Sequence, residues 1–325
     1  MKYRKLGNTG LFVSEIAYGS WLTLGNQVNL DRAESIVRRA LELGVNYIDT
    51  ADVYANGRAE ELLGRALSGH VRRQDYILAT KVYFPMSTAV NDRGLSRKHI
   101  FESIHDSLRR LNEEYVDIYY CHRYDENTPL VESIQAMQDL IHQGKIMHWG
   151  VSQWTADQIA EASSKCKANG WIPPAVNQPI YSLLNRGIET RVLPVCAHHG
   201  LGVAVFSPLA QGILTGKYSG GRIPDGSRGS MESLNMFMRE HLSDGDVLTR
   251  VDRLGEIGRE CNLTPAQTAL AALLQHRSVD TLIVGASTAE QLEENVRASG
   301  IMLDPQLIER VEELFPGPCS LTADT

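Results

Sequence analysis

The run VNYIDT at residues 45–50, the helical pattern AEELLGRAL at 59–67 and the run YILATK at 76–81 make one unit of strand, helix and strand. The apolar and β-branched positions of the two runs bracket a segment whose apolar residues recur with a helical period. The same unit recurs in both directions. Strand runs read as EIAYGS (15–20), VDIYYCH (116–122), IMHWGVS (146–152), PAVNQP (174–179), GVAVFS (202–207) and TLIVGAS (281–287), which brings the total to eight. Helical patterns separate them: 31–44, 97–111, 129–144, 156–170, 188–200, 265–276 and 289–299. Strict alternation of this kind means parallel strands joined by crossover helices. Eight units close most simply into a (β/α)8 barrel, since an open doubly wound sheet usually stops near six strands. The expected architecture is a single α/β barrel domain over residues 1–325.

Two departures from the bare barrel are expected. The turn signal Gly7-Asn8-Thr9-Gly10 predicts an N-terminal hairpin that plugs the end of the barrel away from the strand C-termini. The interval from Ser207 to Gly285 is nearly twice the longest of the others, and residues 208–246 are rich in Gly, Ser and Pro with methionines at 231, 236 and 238. This predicts a long irregular loop after strand seven, placed to act as a lid. Helices that run up to Gly44, Gly144, Gly170 and Gly200 end as a left-handed cap requires.

Composition removes several classes. The 325 residues are 43% hydrophobic and 22% charged, with no uncharged apolar stretch of about 18 residues to cross a bilayer. A net charge of -7 offers no basic field for a nucleic-acid backbone. The start MKYRKLGNTG has no apolar segment of a secretory signal behind it, and five scattered cysteines argue for free thiols in a reducing, cytoplasmic setting. Cys196, His198 and His199 have poor spacing for one ion, so no metal site is expected.

The function of a barrel lies where its strands finish. Asp49, Lys81 and His122 close strands two, three and four, and Tyr54 follows in the loop after Asp49. All four are expected to face one mouth. A buried Asp–Lys pair alone reads equally well as a satisfied ion pair. With a phenol and an imidazole beside it, the set suits proton donation to a carbonyl. A free tyrosine has a pKa near ~10, and lowering it to ~7 takes about 4 kcal/mol of preference for the phenolate, which a neighbouring lysine can supply. Lys81 is then the tuner and Asp49 its anchor, with His122 holding the carbonyl or sharing the proton. Asp52 and Tyr47 rank behind these four.

The segments YIDTADVY (47–54), ILATKVYF (77–84) and VDIYYCHRYDENTP (116–129) resemble the aspartate, tyrosine, lysine and histidine motifs of the aldo-keto reductases. Together with GLSRKHI (94–100) and VGASTAEQLEEN (284–295), they are most similar to the branch containing the β-subunits of voltage-gated potassium channels. The resemblance spans residues 3–315. It implies that Asp49, Tyr54, Lys81 and His122 are catalytic and that the hydride donor is NADPH. The channel subunits carry asparagine where this chain has His122.

The resemblance also implies a cofactor site. WGVSQW (149–154) and NQPIYSLLNR (177–186) are similar to segments that hold the nicotinamide carboxamide, which points to Ser152, Gln153 and Gln178. Ser20, Trp21, Gln27 and Asp49 join them, and Phe206 stands where the family has an aromatic ring stacked on the nicotinamide. FSPLAQGILTGKY (206–218) resembles the loop over the pyrophosphate, giving Ser207, Pro208, Leu209, Ala210, Gln211 and Lys217. The turn Thr288-Ala289-Glu290-Gln291 fits a capping box and an anion site at a helix N-terminus, with Gly285 and Ser287 before it. Lys217, Arg228 and Gln291 match positions near the adenosine 2′-phosphate, which favours NADPH over NADH; Glu294 and Asn295 fall at the adenine. Trp21, Tyr54, Tyr83, Arg123 and Tyr124 are the expected substrate walls.

The expected activity is reduction of an aldehyde or ketone to an alcohol, with a small-molecule carbonyl as partner. The alternative, suggested by the channel-subunit branch, is an NADPH-binding redox-sensing regulatory subunit with slow turnover. That branch also implies a homo-oligomer such as a tetramer. A metal-dependent barrel hydrolase is a third reading, but no His-x-His follows strand one and lysine stands where a ligand is needed.

Overall fold

The architecture is that of a computed structural model, which describes residues 1–21, 23–25, 28–69, 71–225, 227–230 and 238–318, the side chain of Arg228 excepted. Gln27, Met231, Met236 and Cys319 lie outside the described residues. Two short strands, β1 (Tyr3–Lys5) and β2 (Phe12–Ser14), pair antiparallel, with Tyr3 opposite Ser14. Eight more form a closed parallel barrel: β3 (Ile16–Gly19), β4 (Tyr47–Asp49), β5 (Ile77–Val82), β6 (Val116–Cys121), β7 (Ile146–Ser152), β8 (Val176–Gln178), β9 (Gly202–Phe206) and β10 (Thr281–Val284). Neighbours follow chain order, and β10 closes on β3 with Leu282 opposite Ile16. Each of the eight expected strands is present; seven end within one residue of the run read in the sequence, and β10 ends three residues before the end of its run.

The helices are α1 (Leu30–Glu42), α2 (Arg58–Leu67), α3 (Arg97–Leu111), α4 (Leu130–His142), α5 (Ala156–Asn169), α6 (Val192–His199), α7 (Arg239–Ser243), α8 (Gly245–Glu260), α9 (Pro265–Leu274), α10 (Ala289–Val296) and α11 (Pro305–Leu314). Their starts follow side-chain chemistry. Asn29 accepts from the Arg32 amide at α1, and Thr155 with Gln158 and Thr264 with Gln267 form reciprocal capping boxes at α5 and α9. Gly170 and Gly200 take left-handed conformations at the ends of α5 and α6. Helices α7, α8 and α11 are additional to the sequence reading. In α8, Val247, Val251, Leu254 and Ile257 repeat with helical spacing and are buried, so the signal was present in the chain. The described part of the loop after β9 carries short 3-10 turns at Ala210–Thr215 and Ser219–Gly221, where an irregular loop was expected.

The larger core lies between the outward strand faces and the helices. A second, smaller cluster fills the barrel itself, where Tyr47, Ala79, Ile118 and Tyr120 meet Leu6 and Val13 from the hairpin. The hairpin therefore does plug the far end. Arg4 fixes it by donating to the carbonyls of Leu274 and Val279, each at 2.7 Å. Burying such side chains stabilises by about 1.5–3 kcal/mol each, which seals that end with apolar contact. Function is left to the other mouth.

Candidate active site

Strand β4 ends on Asp49 and β5 carries Lys81 near its end, so both side chains turn into the same mouth. Lys81 Nζ donates to Asp49 Oδ2 at 2.6 Å, to the Thr50 carbonyl at 2.7 Å and to the Tyr54 hydroxyl at 3.1 Å. Tyr54 reaches back because the chain after it makes a tight left-handed turn, with φ of 48° at Ala55, 53° at Asn56 and 86° at Gly57. Gly57 is needed there, since a Cβ would also stand 2.9 Å from Arg110 Cδ. His122, the residue after β6, presents its ring edge-to-face to Tyr54 at 5.8 Å. From β8, Gln178 Nε2 donates to Asp49 Oδ1 at 2.7 Å.

Burial sets the charge states. It pushes the Asp49 carboxyl up and the Lys81 ammonium down, while the mutual attraction of the two opposes both shifts and favours an ion pair. Burial also pushes the Tyr54 phenol well above its ordinary value, and the charges of Asp49 and Asp52 add to that. The expectation that Lys81 brings this phenol toward neutrality is therefore not met: near neutral pH the hydroxyl keeps its proton, as a donor must. His122 is driven well below the usual imidazole range by burial, then by Lys81 and Arg123. It is a neutral ring, and its Nδ1 is buried without a hydrogen-bond partner among the described residues.

Asp52 and Tyr47 lie aside from this group. Tyr47 is inside the barrel, its hydroxyl 2.6 Å from that of Tyr120. Asp52 is fully buried behind the mouth, accepting from Ser103 Oγ at 2.9 Å and from the Val53 amide at 2.6 Å. Burial and the Glu60 carboxylate push it up to about 7.

Two joined clefts meet over Tyr54. One, of about 490 Å³, runs from Trp21, Asp49, Tyr54, Gln178 and Phe206 past Ser207, Pro208, Leu209, Gln211 and Lys217 to Gly285, Ser287, Gln291, Glu294 and Asn295. The other, of about 530 Å³, lies on the far side of Tyr54 and is walled by His122, Arg123, Ser152, Gln153 and Ala210, among others. Trp21, Tyr54, Gln178, Phe206, Ser207 and Gln211 belong to both. The size range is that of small-molecule sites.

Most of the expected site residues thus converge, and several do not. Ser20 is fully buried, its Oγ bonded to Thr50 Oγ1 at 2.8 Å, and lines neither cleft. Tyr83 and Tyr124 also line neither, because they pack edge-to-face on Phe84 at 5.2 Å and Trp154 at 4.9 Å. The Arg228 side chain and Gln27 lie outside the described residues. The capping box at α10 is half formed: Thr288 accepts from the Gln291 amide, but the Gln291 side chain accepts from Ser287 N and Oγ instead of the cap. Gln153 Oε1 accepts from the Ile180 amide at 2.7 Å, and its own backbone is left-handed at φ 58°. Phe84, Ile180, Ser182, Asn185 and His241 line the second cleft without having been singled out in the sequence. Phe84 sits two residues beyond β5 and could have been found there; His241 sits on α7 within the long loop, which carries no periodic signal.

The first cleft fits an elongated anionic cofactor. Lys217 Nζ stands 3.0 Å from where a Gly212 Cβ would be and 5.1 Å from the centre of the Tyr218 ring, which leaves its charge at the cleft wall. Ser207, Ala210 and Gln211 all take positive φ, bending the backbone around the cleft wall, and the first turn of α10 lies at its other end.

Residues 15–315 match the family model described as the Aldo/keto reductase family. The chain belongs to that family. It is 41% identical over 319 residues to an Arabidopsis thaliana protein named "Probable voltage-gated potassium channel subunit beta", covering 97% of each chain. A relative of the same name from Oryza sativa subsp. japonica is 40% identical, covering 96% of each. Family membership makes this chain an oxidoreductase, and the family generally uses NADP(H). No helix among the described residues is long and apolar enough to cross a membrane.

Proposed function

We propose that the chain, acting as one barrel domain, reduces an aldehyde or ketone to an alcohol with NADPH as reductant. The observation that carries this reading is the Lys81 ammonium held between Asp49 at 2.6 Å and the Tyr54 hydroxyl at 3.1 Å, at the junction of the two clefts. When bound, the cofactor supplies the hydride. Everything else is the work of side chains. A carbonyl oxygen in the second cleft accepts the proton of Tyr54, which Lys81 orients and which the high pKa keeps available. Neutral His122 hydrogen-bonds the same oxygen, Asp49 anchors Lys81, and Gln178 anchors Asp49. Trp21 and Phe206, edge-to-face at 6.3 Å, wall the junction with apolar surface.

In the first cleft, Ser207, Gln211 and Lys217 take the pyrophosphate and 2′-phosphate side, with Ser287 and Gln291 at the helix end, and Glu294 and Asn295 at the adenine. Ser152, Gln153 and Gln178 lie beside the nicotinamide end. Lys217 supports a preference for NADPH over NADH. The names of the relatives favour a second reading, a redox-sensing regulatory subunit. Steady-state rates on a panel of aldehydes and ketones, with NADPH and NADH side by side, separate the two: turnover with a preference for NADPH is expected, and tight NADPH binding with no turnover on any carbonyl would favour the regulatory reading.

A further inference from the structure

The second cleft has an unbalanced wall. Among the described residues, its lining holds Arg123, His122 and His241 and not one aspartate or glutamate, in a chain whose net charge is -7. Arg123 is half-buried directly beside the reacting group. One of its nitrogens, Nη1, donates to the His122 carbonyl at 2.6 Å, and the guanidinium lies 5.5 Å from the centre of the Phe84 ring. Phe84 in turn packs edge-to-face on His122 at 5.0 Å, so the cation is clamped at a fixed place relative to Tyr54. No carboxylate pairs with it among the described residues, whereas Arg4, Arg73, Arg110 and Arg186, comparably enclosed, each have one. A guanidinium carries five N–H donors, and the described contacts of Arg123 use one. Enclosure without a counter-ion costs free energy, and burial already lowers the pKa of this group.

We propose that Arg123 is a substrate-binding residue that selects carbonyl compounds bearing an anionic group, a carboxylate or a phosphate, a few bonds from the carbonyl. This rests on the carbonyl-reduction reading and narrows it. The anion meets the free donors of the guanidinium while the carbonyl oxygen reaches Tyr54 and His122 on the same wall. The planar fork suits both oxyanions bidentately, which lysine cannot reproduce.

The test uses matched pairs reduced by the full-length protein with NADPH: succinic semialdehyde against butanal for the carboxylate, and glyceraldehyde 3-phosphate against glyceraldehyde for the phosphate. A kcat/KM ratio of at least ~10 in favour of the charged member of one pair is expected, equivalent to ~1.4 kcal/mol. The pair with the larger ratio identifies the oxyanion. Arg123→Met should bring that ratio close to one, chiefly by raising KM for the charged member, and Arg123→Lys should restore part of it. Equal or better reduction of the neutral members by the unmodified protein would overturn the inference and leave carbonyl reduction standing. Binding of succinate or inorganic phosphate to the NADPH-loaded protein, followed by cofactor fluorescence, is read alongside. If no probe is reduced but either anion binds in an Arg123-dependent way, the anion site stands and carbonyl reduction falls.

Discussion

Gln178 and Asp49 come from strands on opposite sides of the barrel, β8 and β4, and the 2.7 Å bond between them spans the mouth. It fixes the carboxylate that fixes Lys81. Removing it leaves a buried carboxylate oxygen without that donor, which typically costs ~1–3 kcal/mol. Gln178→Ala should therefore lower the melting temperature and reduce kcat/KM together; a variant with unchanged stability would show that the bridge is incidental.

Tyr54→Phe removes one hydroxyl from the junction of the clefts and leaves the Lys217 and Ser287 end untouched. General acid catalysis contributes about 10²–10⁴-fold. The variant should lose that much kcat while still binding NADPH, as titration of cofactor fluorescence would show. His122→Asn should slow turnover substantially and likewise leave the cofactor bound. Because burial and two neighbouring cations hold His122 neutral, the rate should show no break from its ionisation between pH 6 and 8.

Asp52, raised to about 7 from an ordinary carboxylate value, makes stability depend on pH in an unusual direction. The folded state holds a proton that the unfolded chain has lost. The contribution is therefore fully present below about pH 4 and is lost as pH rises through 7. Asp52→Asn, close in shape, should abolish this component and be more stable than the parent at pH 8 by on the order of 1–4 kcal/mol. Denaturant melts at pH 5 and pH 8 check it: a difference between the two proteins that is the same at both pH values would exclude titration of Asp52.

Lys217→Met should weaken NADPH binding by roughly tenfold or more, the scale of one charge-assisted contact. NADH binding should weaken less if the lysine faces the 2′-phosphate. Equal losses for both cofactors would place Lys217 on the pyrophosphate alone.

The barrel was legible because each strand is a short β-rich run bounded by polar residues, and the same regularity put Asp49, Lys81, His122 and Gln178 at the strand ends. Position along a strand specifies which way a side chain points. The walls were less legible, since they depend on loops. Tyr83 and Tyr124 have the right composition for a pocket, but each finds an aromatic partner, Phe84 and Trp154, and turns away. Phe84 takes the place expected of its neighbour. The charge state of Tyr54 escaped for another reason: proximity to Lys81 is readable from motif spacing, whereas the desolvation that outweighs it depends on the whole enclosure.

The N-terminal plug makes the barrel a cul-de-sac. With Leu6 and Val13 filling its floor, both clefts open at one mouth, and Trp21, Tyr54, Gln178, Phe206, Ser207 and Gln211 are walls common to both. An occupant of the second cleft would lie against the walls it shares with the first. On the carbonyl-reduction reading proposed above, that layout predicts an ordered sequence in which cofactor enters before carbonyl and alcohol departs before the oxidised cofactor.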